Sequence, residues 1–130
     1  MDAPRLSLHH LAITVVDLAR AERFYADVLG LPVERRWADD AGAPRSIWLG
    51  LGAGAFLAVE RYEGAIDARA EESPGWHCVA LGIPASLRAS WRARLAEAGF
   101  PVERESDFTL YVRDPEANLV ALSHYPDHPV

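Results

Sequence analysis

Two histidines occupy equivalent positions in a segment that the chain contains twice. His10 opens the first copy, which runs through a helical segment to GLPVER at residues 30–35. His77 opens the second copy, which runs through another helical segment to GFPVER at residues 99–104. Neutral imidazole is a frequent metal ligand and also a good hydrogen-bonding group. The repeat therefore makes these histidines the first functional candidates, either as metal ligands or as hydrogen-bonding groups in a pocket wall.

Other familiar chemistries have no sequence support. The chain contains no Ser/His/Asp order, no phosphate-binding loop and no CxxC pair. Its single cysteine, Cys78, follows His77 and alternates to the opposite side of the predicted strand, so a nucleophilic Cys/His pair is not expected. One cysteine excludes an internal disulfide and fits a reducing compartment.

The charge balance narrows the class of partner. The 130 residues include 13 basic and 19 acidic side chains, which gives a net charge of −6. This balance argues against nucleic acid or an anionic membrane surface as the main partner. No apolar run approaches the roughly 20 residues of a membrane helix, and the N-terminus lacks a secretory pattern. We therefore expect a cytoplasmic protein that binds a small molecule.

The elements that position the histidines follow the same order in both copies. Short β-branched runs predict strands, and apolar residues at helical spacing predict a helix that Asp17 caps and Gly30 ends. In the first copy we predict a strand at 10–16, a helix at 18–29, and strands at 31–37, 45–51 and 55–62. In the second we predict a strand at 77–83, a helix at 85–98, and strands at 101–105, 108–113 and 119–125.

Each copy therefore reads as a βαβββ module. Module one covers about 8–62 and module two about 76–126, and the acidic, Ala-rich segment 63–75 is the expected linker. Because neither four-stranded half can bury its faces alone, we predict an α+β fold in which both modules form a curved mixed sheet around a cavity, with helices outside. The whole chain, 1–130, is expected to be one domain.

Strand alternation indicates which side chains face the cavity. In the first strand the large apolar residues Leu11, Ile13 and Val15 are expected under the helix, so that His10, Ala12 and Thr14 face the cavity. By the repeat, His77, Val79 and Leu81 are expected to face it from the second half.

The chain resembles the vicinal oxygen chelate superfamily, which includes glyoxalase I, extradiol dioxygenases, fosfomycin-resistance enzymes and bleomycin-binding proteins. The matching segments are 10–33 and 111–122, and the second of these is similar to the family's RDPDGN-x-x-E-L hairpin. Together with the βαβββ repeat, the resemblance covers nearly the whole chain. It implies the fold strongly and an activity weakly, because this fold hosts many chemistries.

The resemblance implies a divalent metal site. In metal-dependent members a His commonly starts each module and a Glu or His lies on each last strand. His10 and His77 match the starting positions, but Ala121 and Ala58 stand where the acidic ligands are expected. Glu60, two residues beyond Ala58 and on the same face, is the remaining carboxylate. The predicted ligands are therefore His10, Glu60 and His77, with Glu60 also the catalytic candidate and Zn, Ni, Mn or Fe as the metal.

The alternative to a metal site is a cavity in which the two histidines are hydrogen-bonding groups and Glu60 is a carboxylate at the rim. Arg113 could hold a ligand carboxylate or phosphonate, or pair with a nearby acid. Aromatic residues could form the pocket wall or fill packing contacts. The predicted substrate-pocket residues are Trp48, Tyr62, Tyr111, Arg113 and Tyr125, with Trp37 as a further aromatic candidate.

Two functions follow from this resemblance. The first is a metal-dependent enzyme of the glyoxalase, dioxygenase or fosfomycin-modifying transferase type, in which the metal chelates vicinal oxygens of a small substrate. The second is a metal-free protein that sequesters a hydrophobic or aromatic compound, as bleomycin-binding relatives do. The resemblance also implies a homodimer.

Overall fold

The computed structural model describes residues 6–64 and 75–129. The chain divides into two compact units, Met1–Gly64 and Ala65–Val130. Each unit contains one four-stranded mixed sheet and one helical segment, which confirms the predicted α+β fold built from βαβββ modules. Most of the predicted linker, residues 63–75, lies outside the described residues. No helix in the described ranges is long and apolar enough to cross a membrane.

The first unit follows the predicted element order. Its sheet has the strand order β1-β4-β3-β2, in which β1 is parallel to β4 and the other pairs are antiparallel. The Asp17 side chain caps the helix by accepting the N–H of Arg20 at 3.0 Å. The elements are β1 (His10–Val15), α1 (Leu18–Glu22), a π-helical segment (Arg23–Val28), β2 (Val33–Ala38), β3 (Pro44–Gly52) and β4 (Ala55–Arg61).

The predicted first helix changes character halfway along. In its second half the N–H of Leu29 donates to the carbonyl of Phe24, five residues earlier, at 2.9 Å, which is the wider π-helical spacing. The adjacent rings of Phe24 and Tyr25 are both fully buried and meet edge to face, 4.9 Å apart. These rings pack the helical segment into the core of the unit.

The core of the first unit lies on one face of its sheet. The register places Leu49 opposite Leu57 and Ile47 opposite Val59, and all four side chains are buried. Val15 at the end of β1 is also buried. Alternation then sends the neighbouring residues of these strands, including His10, to the opposite face.

The second unit repeats this arrangement with shorter strands. Its sheet has the order β5-β8-β7-β6, and β5 is parallel to β8. His77 and Cys78 precede β5, although the prediction began this strand at His77. The elements are β5 (Val79–Gly82), a 3-10 turn (Ala85–Leu87), α2 (Arg88–Glu97), β6 (Arg104–Glu105), β7 (Thr109–Arg113) and β8 (Leu119–Ser123).

The register of β5 corrects the prediction for Val79 and Leu81. Val79 pairs with Val120 and Leu81 pairs with Leu122, whereas the neighbour of Ala121 is Ala80. Val79 and Leu81 therefore lie on the face opposite to that of Ala121, and the prediction that they share it is wrong. The cause is a one-residue difference in register from the first unit, since such a difference moves every side chain of a strand to the other face.

Candidate functional site

The face of the first sheet that carries His10 has three rows of side chains across the strands. We call it the aromatic face. The register alone defines the rows, because paired residues on neighbouring strands point to the same side. The first row is His10, Phe56 and Gly50; the second is Ala12, Ala58, Trp48 and Arg35; the third is Thr14, Glu60, Ser46 and Trp37.

Aromatic contacts run without a break across this face. The His10 ring stacks on Phe56 at a centroid distance of 4.9 Å, and Phe56 stacks on Trp48 at 4.3 Å. Trp48 meets Trp37 at 5.3 Å. The guanidinium carbon of Arg35 then lies 4.5 Å from the centre of a Trp37 ring. These rings therefore present a flat apolar surface, and the cation of Arg35 lies at its end on the edge strand β2.

The third row contains two buried polar groups that have no hydrogen-bond partner among the described residues. Ser46 is only 1% exposed, and its hydroxyl has no hydrogen-bond partner among the described residues. The same holds for the buried indole Nε1 of Trp37, which pairs with Ser46 across the strands. Leaving such a buried group unpaired costs about 1–3 kcal/mol. Two of them side by side indicate that something other than this part of the chain satisfies them.

The predicted metal ligands of the first unit are not neighbours. His10 lies opposite Phe56, whereas Glu60 lies opposite Thr14, four residues further along the strand. Four residues of strand span about 13 Å, and a metal ion needs its ligand atoms at about 2.0–2.2 Å. In neither unit do three described His, Cys, Asp or Glu side chains form a group that could hold a metal ion.

His10 is instead engaged by its neighbours. Besides stacking on Phe56, its Nδ1 lies 2.8 Å from the Nδ1 of His9, a hydrogen-bond distance. The side chain is exposed at the start of β1. These contacts fit the alternative prediction, in which the histidine is part of a pocket wall.

His77 also has a partner in its own unit. The Nη2 of Arg104 donates to Nε2 of His77 at 3.1 Å, and the Arg104 guanidinium lies 4.8 Å from the centre of the Tyr111 ring. A lone pair that accepts from a guanidinium is not available to a metal ion at the same time. Tyr111 pairs with Ala121, so this cluster belongs to the face that corresponds to the aromatic face.

Three of the predicted pocket residues stand apart from these clusters. Arg113 pairs locally, donating to Glu103 at 2.8 Å and to the carbonyl of Ala117 at 3.1 Å. Tyr62 follows β4 and is 44% exposed. Tyr125 follows β8, is 73% exposed, and has its ring 5.2 Å from Phe108. Only Trp48 and Tyr111 of the predicted set lie at the centre of a sheet face.

The sequence analysis missed Arg35 and Arg104. Each lies on the second strand of its module, pairs with an aromatic residue of the third strand, and places its guanidinium over an aromatic ring. The signal was present, because both arginines end the repeated Pro-Val-Glu-Arg quartet. Neither has a carboxylate partner within the described residues, which distinguishes them from Arg20, Arg36, Arg61, Arg88, Arg92 and Arg113.

A cleft of about 430 Å³ lies at the start of the first helix and the edge of the sheet, and its lining includes Trp37 and Ser46 of the third row. Leu18, Ala19 and Ile47 form part of its apolar wall. Its charged lining residues, Glu22 and Arg36, form an ion pair with each other, and the hydrogen bond that Arg36 donates to Glu22 raises the pKa of Arg36. Because these two charges neutralise each other, they do not mark the cleft for a charged ligand.

The chain matches one protein-family model and several solved structures. A family model described as the Glyoxalase/Bleomycin resistance protein/Dioxygenase superfamily matches residues 7–122. No match is found among curated proteins. Glyoxalase I of Leishmania major, described as trypanothione-dependent, is similar in structure with a TM-score of 0.74 and 24% identity over 92% of this chain and 87% of that chain.

Two further solved structures show the same fold. A glyoxalase/dioxygenase from Nostoc punctiforme has a TM-score of 0.73 and 17% identity, and the match covers 98% of this chain and 99% of that one. The fosfomycin resistance protein FosX from Listeria monocytogenes has a TM-score of 0.71 and 17% identity over 91% of each chain. That structure is of a mutant complexed with Mn(II) and 1S,2S-dihydroxypropylphosphonic acid. At these identities the likeness concerns the fold alone.

Proposed function

Since the chain belongs to the Glyoxalase/Bleomycin resistance protein/Dioxygenase superfamily, we propose that it binds a planar, mainly apolar small molecule on the aromatic face without requiring a metal ion. The observation that carries this proposal is the unbroken row of ring contacts from His10 through Phe56 and Trp48 to Trp37. Planar rings bind such surfaces by stacking and by removal of apolar area from water.

The small residues of the second row support the same function. Ala58 is the register partner of Trp48 on the aromatic face and Ala12 lies beyond it on β1, and Ala58 stands where the family resemblance implies an acidic ligand. An alanine there supplies neither a charge nor a metal-binding oxygen. A site built in this way favours an apolar ring over a chelated metal ion.

The unpaired polar atoms of the third row point to a ligand with at least one polar group. Most binding sites combine apolar walls with a few polar atoms that orient the ligand. Trp37 Nε1 can only donate, and the Ser46 hydroxyl can donate or accept. A ligand oxygen at this end of the face would satisfy groups that have no partner among the described residues.

The direct test is calorimetric titration with 2-naphthylmethanol, a neutral fused ring with one hydroxyl. We expect binding by the protein as purified and unchanged binding in the presence of EDTA. Trp48→Ala should weaken the affinity at least about tenfold, because it removes the central ring of the row. The matched control is Trp76→Ala, since Trp76 is 84% exposed. Binding that appears only after Zn, Ni, Mn or Fe is added would contradict the proposal.

The predicted metal-dependent enzyme, with a divalent ion held by His10, Glu60 and His77, is the second candidate. Its support is the family membership and the Mn(II) in the FosX structure. The separation of Glu60 from His10 along β4 counts against this ligand set. Metal analysis of protein purified without chelator decides between the candidates: one equivalent of divalent metal per chain would favour the enzyme.

The proposal includes the partner and location predicted from the sequence. The partner is the small molecule itself, with no nucleic acid and no membrane, and the protein is expected to be a cytoplasmic homodimer. Light scattering during gel filtration measures the oligomeric state directly. These expectations are independent of the ligand-binding proposal, which stands on the aromatic face of a single unit.

A further inference from the structure

We propose that the ligand of the aromatic face is an aromatic anion, and that its anionic group is bound by Arg35 together with the indole N–H of Trp37 and the hydroxyl of Ser46. This inference rests on the proposed function and specifies the chemical class of its ligand. The three groups are donors from neighbouring positions of β2 and β3, at one end of the face. A carboxylate accepts several such bonds at once.

Arg35 is an exposed cation at the edge of the aromatic face. Its side chain is exposed and stacks on Trp37, but it has no carboxylate partner within residues 6–64 and 75–129. The chain has 19 acidic residues against 13 basic ones, so that most arginines could find a partner. An unpaired guanidinium beside an aromatic row is suited to a planar ligand with a carboxylate, because its fork binds both oxygens.

Two buried hydrogen-bond donors lie at positions next to Arg35. Trp37 Nε1 and Ser46 Oγ belong to register partners and lack hydrogen bonds within the described chain. Arg35 lies over the Trp37 ring, so a movement of this flexible side chain would uncover the ring edge. An anion held there would satisfy both donors and pair with the cation.

The second unit supplies an internal comparison. Arg104 stands over Tyr111 as Arg35 stands over Trp37, but Arg104 already donates to His77. In the same unit, Thr109 Oγ1 donates to Ser123 Oγ at 3.0 Å, which closes the row equivalent to that of Ser46 and Glu60. The donors of the second sheet thus satisfy one another, whereas those of the first sheet remain open for a ligand.

The carboxylate of Glu60 determines how the ligand lies. Glu60 is on β4 and Arg35 is on β2, so two strand spacings, about 10 Å, separate them across the sheet. Because Glu60 is also the register partner of Ser46, it repels an anion on the β4 side of Ser46 and favours a position on the β2 side, toward Trp37 and Arg35. The ring of the ligand therefore lies over Trp48, with its anionic group at Arg35.

The test compares 2-naphthoate with 2-naphthylmethanol by calorimetry on the full chain. We expect the carboxylate to bind at least about tenfold more tightly, and Arg35→Gln to abolish this preference for the carboxylate over the alcohol. Arg35→Lys should retain part of the preference, because an ammonium group keeps the charge but lacks the fork. The matched control is Arg45→Gln, which removes an exposed arginine from β3 that is not one of the three proposed donors.

Each outcome separates the two proposals. If neither compound binds, the aromatic face is not a ligand site and both proposals fail. If the alcohol binds as tightly as the carboxylate, or if the preference survives Arg35→Gln, only the anion proposal fails. A nitrogen–proton NMR titration adds an independent readout: the indole N–H signal of Trp37 should shift with naphthoate. A shift confined to the Trp48 signal would overturn the assignment of Trp37 as a donor.

Discussion

The two sheets share one strand order and differ in what their equivalent faces carry. In the first sheet, Trp48 and Phe56 stand where the second has Tyr111 and Leu119, at a constant offset of 63 residues. The first face is consequently an aromatic surface with unpaired polar atoms. In the second, the corresponding hydroxyl groups bond to each other. The two units thus share one architecture, whereas the stacked aromatic face and the buried polar atoms without a hydrogen-bond partner among the described residues belong to the first.

The hairpin turns of the two units are also stabilised in different ways. The β3–β4 turn of the first unit depends on Gly52 and Gly54, which have φ values of +90° and +84° and so adopt a conformation that glycine tolerates best. The equivalent β7–β8 turn is held by a side chain. Buried Asp114 accepts from the N–H groups of Glu116 and Asn118 at 2.9 and 2.8 Å. The second unit therefore uses a buried carboxylate at a turn where the first uses the backbone conformation of glycine.

The largest expected effect tests whether the first unit is the more tightly anchored one. Phe24→Ala removes a fully buried ring from the helical segment and should lower the free energy of unfolding by about 4 kcal/mol. Leu95→Ala removes the buried anchor of α2 and should cost about 3 kcal/mol. Urea unfolding measures both. A larger loss of unfolding free energy for Leu95→Ala would contradict the expectation that the first unit is the more tightly anchored one.

The next effect tests the contrast between the turns. Asp114→Ala leaves two backbone N–H groups and the Asn118 side-chain amide, which donates to Asp114 at 2.9 Å, without their acceptor. We expect a loss of about 3 kcal/mol in the free energy of unfolding. Asp114→Asn keeps one acceptor oxygen and should lose less. If Asp114→Ala unfolds with the wild-type midpoint, the carboxylate does not hold the turn.

Most of the fold was predictable because it depends on local patterns that occur twice. The helix cap at Asp17, the end of the helix near Gly30 and the β3–β4 hairpin follow from residue type and spacing. The face of His10 was also predictable, since alternation along a strand needs no knowledge of its partner. The repeat then extended these predictions to the second unit.

The site was less predictable because it depends on pairing between distant strands. The β1–β4 register, which separates His10 from Glu60, forms across more than 40 residues of intervening chain and leaves no local signal. The one-residue shift that moves Val79 off the expected face has the same origin. Arg35 carried a signal in the repeated quartet, but its place over Trp37 follows only from the structure.

The smallest expected effect concerns the β2–β3 turn of the first unit, which an ion pair stabilises. In the β2–β3 turn, Asp39 accepts from Arg61 at 2.9 Å and from the N–H groups of Ala41 and Ala43. In the second unit, the corresponding turn is held by Arg88, which donates to the carbonyl of Ser106 at 2.7 Å. Protonation of Asp39 would therefore loosen the first turn and leave the contact between Arg88 and Ser106 intact.

The hydrogen bond from Arg61, followed by that from Ala43, lowers the pKa of Asp39 below its ordinary value of 3.8. A lowered pKa means that the ionised form stabilises the fold. This contribution is complete above the ordinary value and is lost as the pH falls through the lowered one. Asp39→Asn should accordingly have a lower Tm than wild type at pH 6, and the gap should close in more acidic buffer. Asp40→Asn, in the same turn, controls for the loss of one negative charge. A difference in Tm that stays constant from pH 6 to the most acidic buffer would show that the turn is held by the shape of the side chain rather than by its charge.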